Sequence, residues 1–283
     1  MQLLEGKPLA DELKQQLKEI VEDGKDRGKT FRLCIIQVGN NPASATYVKN
    51  KIFACEYIGI NSKLVQVDEN CTQDELIDVI NMYNCDDNVN GIIVQLPLPK
   101  HINEDDIAMH IDPMKDVDGF NPINAGNMYL GNDAICPCTP RGIMYLLSYY
   151  HIDVEGKECV VVGRSNIVGK PMAMELLEAN GTVTICHSKT QNLKEICRRA
   201  DILVCAIGKP KFFNEEYVKD GAVVIDVGIH RMDNGKLCGD VDFDSVKDKV
   251  SAITPVPGGV GVMTVATLMD NLVFAALDQQ DGV

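Results

Sequence analysis

The chain is poor in positive charge: 27 lysine and arginine residues stand against 41 aspartate and glutamate, a formal net charge of −14 over 283 residues. That balance argues against nucleic acid and anionic membranes as partners, because both need a concentration of basic side chains. A local basic pocket for an anionic small molecule is compatible with it. No apolar run reaches the ~18 residues of a membrane span. The start, Met1-Gln2-Leu3-Leu4-Glu5-Gly6-Lys7, lacks the basic-then-apolar order of a signal peptide. Tryptophan is absent, yet 45% hydrophobic and 24% charged residues are the proportions of an ordinary globular protein.

Also missing is any Cys-x-x-Cys pair. The 11 cysteines are odd in number, the one close pair is Cys136-x-Cys138, and no histidine-rich cluster accompanies it. A metal site is therefore not expected. Cys34, Cys159, Cys186 and Cys205 lie in apolar, strand-like runs where a thiol behaves as a small hydrophobe. Buried, reduced thiols point to a cytoplasmic protein. The G-x-G-x-x-G dinucleotide fingerprint is absent as well.

What the chain has is alternation. Its length suggests roughly two domains of about 150 residues. Leu9, Leu13, Leu17, Ile20 and Val21 follow helical spacing, and Leu33 to Val38 is an apolar strand ending at Gly39. A helix from Ala43–Ser44 to Gly59, a strand Lys63 to Val67, a helix Leu76 to Tyr83 and a strand Gly91 to Leu96 follow. Thr72-Gln73-Asp74-Glu75 is a capping box for the second of these helices. Residues 100–140 lack periodicity and read as a long connection. Beyond it, strands at 158–162, 182–186, 202–206 and 222–226 alternate with helices at 168–179 and 192–199, and a last helix runs from Met263 to Leu277. This alternation predicts α/β architecture: two lobes with a cleft between them, the second a parallel Rossmann-like sheet.

In the second half, Cys159-Val160-Val161-Val162 runs into Gly163-Arg164-Ser165-Asn166-Ile167-Val168-Gly169-Lys170-Pro171. A strand that ends on glycine and opens into a helix offers unpaired N–H groups and a positive dipole end to a phosphate. A sheet selective for NAD usually places Asp or Glu at the end of its second strand. Here that strand ends Cys186-His187-Ser188-Lys189-Thr190, without a carboxylate. With Arg164 nearby, the site favours the 2′-phosphate of NADP. Ser188 and Thr190 can also serve only as helix caps. Glycine turns at Gly208 and Gly228-Ile229 lie at further strand ends, each weak by itself.

In the first half, Tyr47 and Lys51 lie four apart on one helix face. A lysine beside a tyrosine in a half-buried site can carry protons, although a solvated surface pair is as good a reading. Tyr-x-x-x-Lys also occurs in short-chain dehydrogenases, but there it follows the glycine loop, whereas here it precedes it. Gln95 is a polar residue ending an apolar strand. A surface-loop reading is strong for Asp116 and weaker for Asp118, which precedes Gly119-Phe120. The turn Thr254-Pro255-Val256-Pro257-Gly258-Gly259 lets backbone approach a flat ligand.

In order, Leu4-x-Gly6-Lys7, PASATYVKNK (42–51), VQLPLP (94–99), KDVDGFNPIN (115–124), PCTPRGI (137–143), GRSNIVGKP (163–171), TICHSKT (184–190) and TPVPGGVGVMT (254–264) span the chain. Together they closely resemble the bifunctional methylenetetrahydrofolate dehydrogenase/methenyltetrahydrofolate cyclohydrolase family, the FolD type. The resemblance implies a folate-binding catalytic domain over 1–139, completed by 264–283, and an NADP-binding domain over 140–263. It implies NADP-dependent oxidation of 5,10-methylenetetrahydrofolate, hydrolysis of the methenyl product to 10-formyltetrahydrofolate, and a homodimer. Lys51 would be the acid/base residue, supported by Tyr47 and Gln95. Asp118, Tyr47, Pro257, Gly258 and Gly259 would bind the folate. Gly163, Arg164, Ser165, Ser188, Gly208 and Ile229 would hold the cofactor, and no metal is implied. Two positions depart from the family's usual pattern: Val262 replaces a proline, and Asn121 replaces a frequent histidine. A dehydrogenase with a silent cyclohydrolase step, and a non-enzymatic dinucleotide sensor, are the competing readings.

Overall fold

The structure, a computed structural model, describes residues 1–281, apart from the side chains of Pro42 and Ala43. Its elements begin β1 (Gln2–Leu3), α1 (Gly6–Asp26), β2 (Arg32–Val38), α2 (Pro42–Ile58), β3 (Asn61–Val67), α3 (Gln73–Asn84), β4 (Gly91–Val94), α4 (Glu104–His110) and α5 (Pro122–Leu130). They continue α6 (Cys138–Tyr149), β5 (Glu158–Val162), α7 (Gly169–Glu178), β6 (Thr182–Cys186), α8 (Leu193–Cys197), β7 (Ile202–Cys205) and β8 (Val223–Asp226). The last are β9 (His230–Arg231), β10 (Leu237–Cys238), α9 (Phe243–Val246), β11 (Ala252–Ile253) and α10 (Val260–Asp281). The chain divides into a first unit, Asp11–Cys136 with Val265–Val283, and a second, Met1–Ala10 with Pro137–Thr264.

The first unit is built on a parallel sheet ordered β3-β2-β4. β2 has a strand on each side, which is why its sequence is apolar almost throughout and Leu33 to Val38 are all buried. β3 is an edge strand with alternating exposure. Thr72 and Glu75 cap α3 reciprocally, Thr72 Oγ1 accepting from Glu75 N–H and Glu75 Oε2 from Thr72 N–H. Residues 100–140, read from sequence as an aperiodic connection, contain α4 and α5. Both are too short for periodicity to reveal them, and both are defined by their ends. Asn103 accepts from the Asp105 and Asp106 N–H groups. Asn121 accepts from Ile123 N–H, Pro122 occupies the first helical position, and Gly131 closes α5 in the left-handed region.

The second unit carries a six-stranded parallel sheet in the order β1-β11-β8-β7-β5-β6. β6 lies on one side of β5 and β7 on the other, so the strand order reverses between β5 and β7. In an open α/β sheet a ligand binds outside the carboxyl ends at such a switch point. Residues 1–10, grouped by sequence with the first domain, pair here through Gln2↔Ala252 and Leu3↔Ile253. Two-residue strands carry no readable pattern, so neither β1 nor β11, nor the β9–β10 hairpin, is visible in sequence.

α10 is longer at both ends than the sequence suggests. It is apolar and long enough to cross a membrane by composition, with mean hydropathy 1.7, yet 61% of that window is buried within the protein. Residues 282–283, the end of the segment expected to complete the first domain, lie outside the described residues.

Candidate active site

In the first unit, α2 carries Tyr47 and Lys51 one turn apart. The Lys51 ammonium, half-buried, donates to Gln95 Oε1 at 3.2 Å. Gln95 follows β4 and keeps to its ladder, its N–H donating to Ile36 O at 2.8 Å. Its side-chain amide donates to Leu96 O at 2.8 Å, which leaves Oε1 as the atom that meets the lysine. Tyr47 is 55% exposed and makes no hydrogen bond among the described residues. Three residues earlier on α2, the buried Ser44 hydroxyl is also without a partner among the described residues. A buried hydroxyl without a partner costs free energy unless a ligand or water completes it. A cavity of about 610 Å³ opens at the carboxyl ends of β2, β3 and β4, lined in part by Asn40, Glu69, Pro97 and His101; Lys51 and Asp118 do not line it.

The segment around Asp118 is fastened from several sides. Lys115 is buried and donates to the carbonyls of Tyr83, Asn84 and Asp86, so its charge meets the negative end of α3. Asp116 is 1% exposed and accepts from Asn121 N–H at 2.7 Å and Asn124 Nδ2 at 3.0 Å. This corrects the surface-loop reading of Asp116: a carboxylate can be buried where amide donors surround it. Burial nonetheless pushes its carboxyl up to about 6. Asn271 of α10 donates to Val117 O at 3.0 Å and Cys136 O at 2.9 Å. Asp118 itself, part-buried, has a carboxylate with no hydrogen-bond partner among the described residues. Burial pushes its carboxyl up and the Lys51 charge acts against that. The site thus presents a rigidly carried acceptor beside a lysine.

In the second unit, β5 ends at Gly163, whose φ is +139°. A Cβ there would run into the Ala206 carbonyl oxygen, so the turn after β5 and the turn after β7 lie in direct contact at the switch point. Only glycine permits both the angle and the approach. The sequence reading expected bare N–H groups at the start of α7. The structure differs: Ser165 Oγ accepts from Val168 N–H at 3.2 Å and from Gly169 N–H at 3.3 Å. A hydroxyl that accepts twice still has its own hydrogen to donate, so Ser165 satisfies two backbone donors and offers one side-chain donor in their place.

At the end of β6, Thr190 Oγ1 accepts from His187 N–H and His187 Nδ1 from Lys189 N–H. Thr190 is therefore used locally, while Ser188 is exposed and its hydroxyl has no hydrogen-bond partner among the described residues. Arg164 is exposed and makes no ion pair among the described residues. An unpaired guanidinium, a free hydroxyl and Lys189 fit a phosphate monoester, and the ribose-binding carboxylate that NAD sites use at this strand end is absent.

Gly208 follows β7 with its N–H donated to Asp240 Oδ2 at 3.0 Å. Ile229 is 48% exposed beyond β8. The 254–259 turn is anchored at Thr254, which is buried and accepts from Asp226 N–H, and at Gly258 O, which accepts from Gly6 N–H at 2.8 Å. None of the buried cysteines Cys34, Cys55 and Cys197 is a nucleophile, since burial pushes each thiol up to about 12.

Sequence reasoning misplaced Asp116 on a surface loop and missed Asn271, Asp226 and Asp240. Asn271 left a signal: a polar residue at core spacing in an otherwise apolar helix. Asp240 left none, because its partners come from a turn 31–33 residues away.

A parallel sheet with an anion-receptive turn at its switch point, carried in one chain with a lysine–glutamine–aspartate site, defines a two-domain α/β enzyme that uses a nucleotide. The family described as tetrahydrofolate dehydrogenase/cyclohydrolase matches twice: its catalytic domain over residues 4–118 and its NAD(P)-binding domain over 137–280. A bifunctional protein FolD of Lachnoclostridium phytofermentans is 59% identical over 274 residues, covering 97% of each chain. The crystal structure of FolD from Campylobacter jejuni is 50% identical, has a TM-score of 0.97 and covers 100% of both chains. A Trypanosoma brucei FolD solved with NADP and an inhibitor is 34% identical, with a TM-score of 0.92 over 99% of this chain and 98% of its own. The chain belongs to the tetrahydrofolate dehydrogenase/cyclohydrolase family.

Proposed function

We propose that this chain oxidises 5,10-methylenetetrahydrofolate with NADP and hydrolyses the resulting 5,10-methenyl form to 10-formyltetrahydrofolate. The observation that carries the reading is the Lys51–Gln95 hydrogen bond beside an Asp118 carboxylate that has no hydrogen-bond partner among the described residues. It supplies a proton carrier and an acceptor for the N–H groups of a pterin.

Bound NADP supplies a nicotinamide ring that accepts the hydride. Arg164 and Ser188 hold its 2′-phosphate, the Ser165 hydroxyl donates to a phosphate oxygen, and Gly163, Gly208 and Ile229 border the nucleotide. Asp118 anchors the pterin, and Tyr47 and the Pro257-Gly258-Gly259 backbone lie along the folate. The folate nitrogens stabilise the cation left by hydride departure, so this step asks the protein only for positioning. Hydrolysis asks for more: a proton leaves the attacking water and another reaches the ring nitrogen that departs. Lys51 moves these protons, and Gln95 keeps its Nζ in place. On this reading residues 11–139 with 264–283 form the folate-binding domain and 140–263 the NADP-binding domain, to whose sheet residues 1–10 contribute β1.

The protein acts in the cytoplasm as a homodimer, without nucleic-acid or membrane partners, and its product feeds purine biosynthesis. The open edge of β3, with Leu64 exposed, supports self-association. The charge of −14 argues against polyanions.

The test is a spectrophotometric assay with methylenetetrahydrofolate, run with NADP and then NAD, followed by the decay of the methenyl absorbance. Reduction with NADP and subsequent decay support the reading. Preference for NAD would sink the 2′-phosphate argument, and a stable methenyl signal would leave only a dehydrogenase.

A further inference from the structure

One buried carboxylate organises the switch point from behind. Asp240 is fully buried, and each of its oxygens accepts twice. Oδ2 takes Ile207 N–H at 2.7 Å and Gly208 N–H at 3.0 Å. Oδ1 takes Lys209 N–H at 2.8 Å and His230 Nε2 at 2.8 Å. Three successive backbone N–H groups turned toward one anion form a nest, and here the protein fills that nest itself. A phosphate has no place in it. Filling it leaves the opposite side of the turn, Gly208 to Pro210, exposed.

Asp240 is in turn held by Asp226 at the end of β8. Asp226 Oδ1 accepts from Asp240 N–H at 2.8 Å and from Gly228 N–H at 3.0 Å, and Oδ2 from Val241 N–H at 2.9 Å. The packing is close enough that a Cβ on Gly239 would strike the Asp226 carboxylate, and one on Gly228 would strike Asp240. Gly163 meets the Ala206 carbonyl on the far side of the same turn.

We propose that Asp240 is a positioning residue for the nucleotide: it holds the 206–210 turn in the shape that, against the Gly163 turn, forms the wall of the switch-point site. The proposal rests on the reading of the second unit as an NADP site. An asparagine at 240 has nearly the same shape but replaces one oxygen by a donor, so two of the four accepted bonds become donor against donor. His230, at the rim, contributes one bond, which glutamine can imitate and alanine cannot.

The test uses the full chain and titrates NADP by isothermal calorimetry against wild type, D240N, H230A and H230Q. Nucleotide-free methenyl hydrolysis reports the folding of the first unit in each variant, and amide exchange along β5, β7 and β8 reports that of the second. The expected result is a tenfold or greater rise in the NADP dissociation constant for D240N, exceeding any loss of hydrolysis by at least tenfold. For H230A a rise of about threefold is expected, with H230Q restoring binding. Amide hydrogen exchange on the wild type, which needs no variant to fold, is expected to protect Ile207, Gly208 and Lys209. D240N binding NADP within threefold of wild type, or fast exchange at those three amides, overturns the proposal. A wild type that binds no NADP overturns the underlying reading instead.

Discussion

Lys51 Nζ and Gln95 Oε1 are 3.2 Å apart, and Gln95 is held on its other side by the Leu96 carbonyl. The lysine is therefore aimed by a residue at the end of β4, on a different element from its own helix. Its position depends on the sheet as much as on α2.

Lys51→Met is expected to reduce methenyl hydrolysis by about 10²–10⁴-fold, the usual contribution of a general acid–base group. Hydride transfer should persist, since it moves no proton. Separate assays of the two steps on one preparation decide the matter. Hydrolysis at the wild-type rate would remove Lys51 from the mechanism.

Arg164→Ala should weaken NADP and leave NAD nearly unaffected. A charge-assisted hydrogen bond contributes about 1.5–3 kcal/mol, so the NADP:NAD ratio of kcat/KM should fall about 10- to 100-fold. Ser188→Asp should push the same ratio further, since a carboxylate there repels the 2′-phosphate and accepts a ribose hydroxyl. An unchanged ratio in both variants would move the 2′-phosphate elsewhere.

Asp116 gives stability a pH dependence opposite in sign to that of a salt-bridged carboxylate. Its folded-state pKa is raised from 3.8 to about 6, chiefly by burial, so folding favours its protonated form. The stability it contributes is full below about pH 4 and is lost as pH rises through about 6, up to roughly 3 kcal/mol. Asp116→Asn cannot ionise. Urea unfolding at pH 4.5 and 7.0 should find the variant gaining on wild type at the higher pH. Parallel pH profiles would show that the amide donors, not burial, dominate at Asp116. Asp226, also pushed up to about 6 by burial, should retain a similar slope in that variant.

Val262 is the third residue of α10, where an N–H has no intrahelical acceptor. Val262→Pro, which puts back the proline that the family resemblance implies at this position, is expected to stabilise by about 0.4–1 kcal/mol through the unfolded state. Thermal unfolding should detect a rise of about 1–4 °C. A fall would mean that the packing of Val262 over Gly6 matters more than backbone entropy.

Elements with several turns or a buried run were legible: β2, β5 and α3 carry their period or caps in consecutive residues. So were the glycine turn at 163 and the missing carboxylate after β6, because both are set by residues adjacent in the chain. α4 and α5 were read as a loop, since helices of 7 and 9 residues hold too few core positions to repeat.

Sequence by itself determined the family, the alternating α/β order, and the residue types at the two sites, all of them properties of neighbours in the chain. The pairing of Lys51 with Gln95, the burial of Asp116 and the unpartnered state of Asp118 were decided by tertiary structure. So were the filling of the 207–209 nest by Asp240 and the capture by Ser165 of the N–H groups that seemed free. Each is a question of which donor finds which acceptor. In a folded chain that depends on strands and turns brought together across tens of residues, where the cost of leaving a buried polar group unmatched selects the partner.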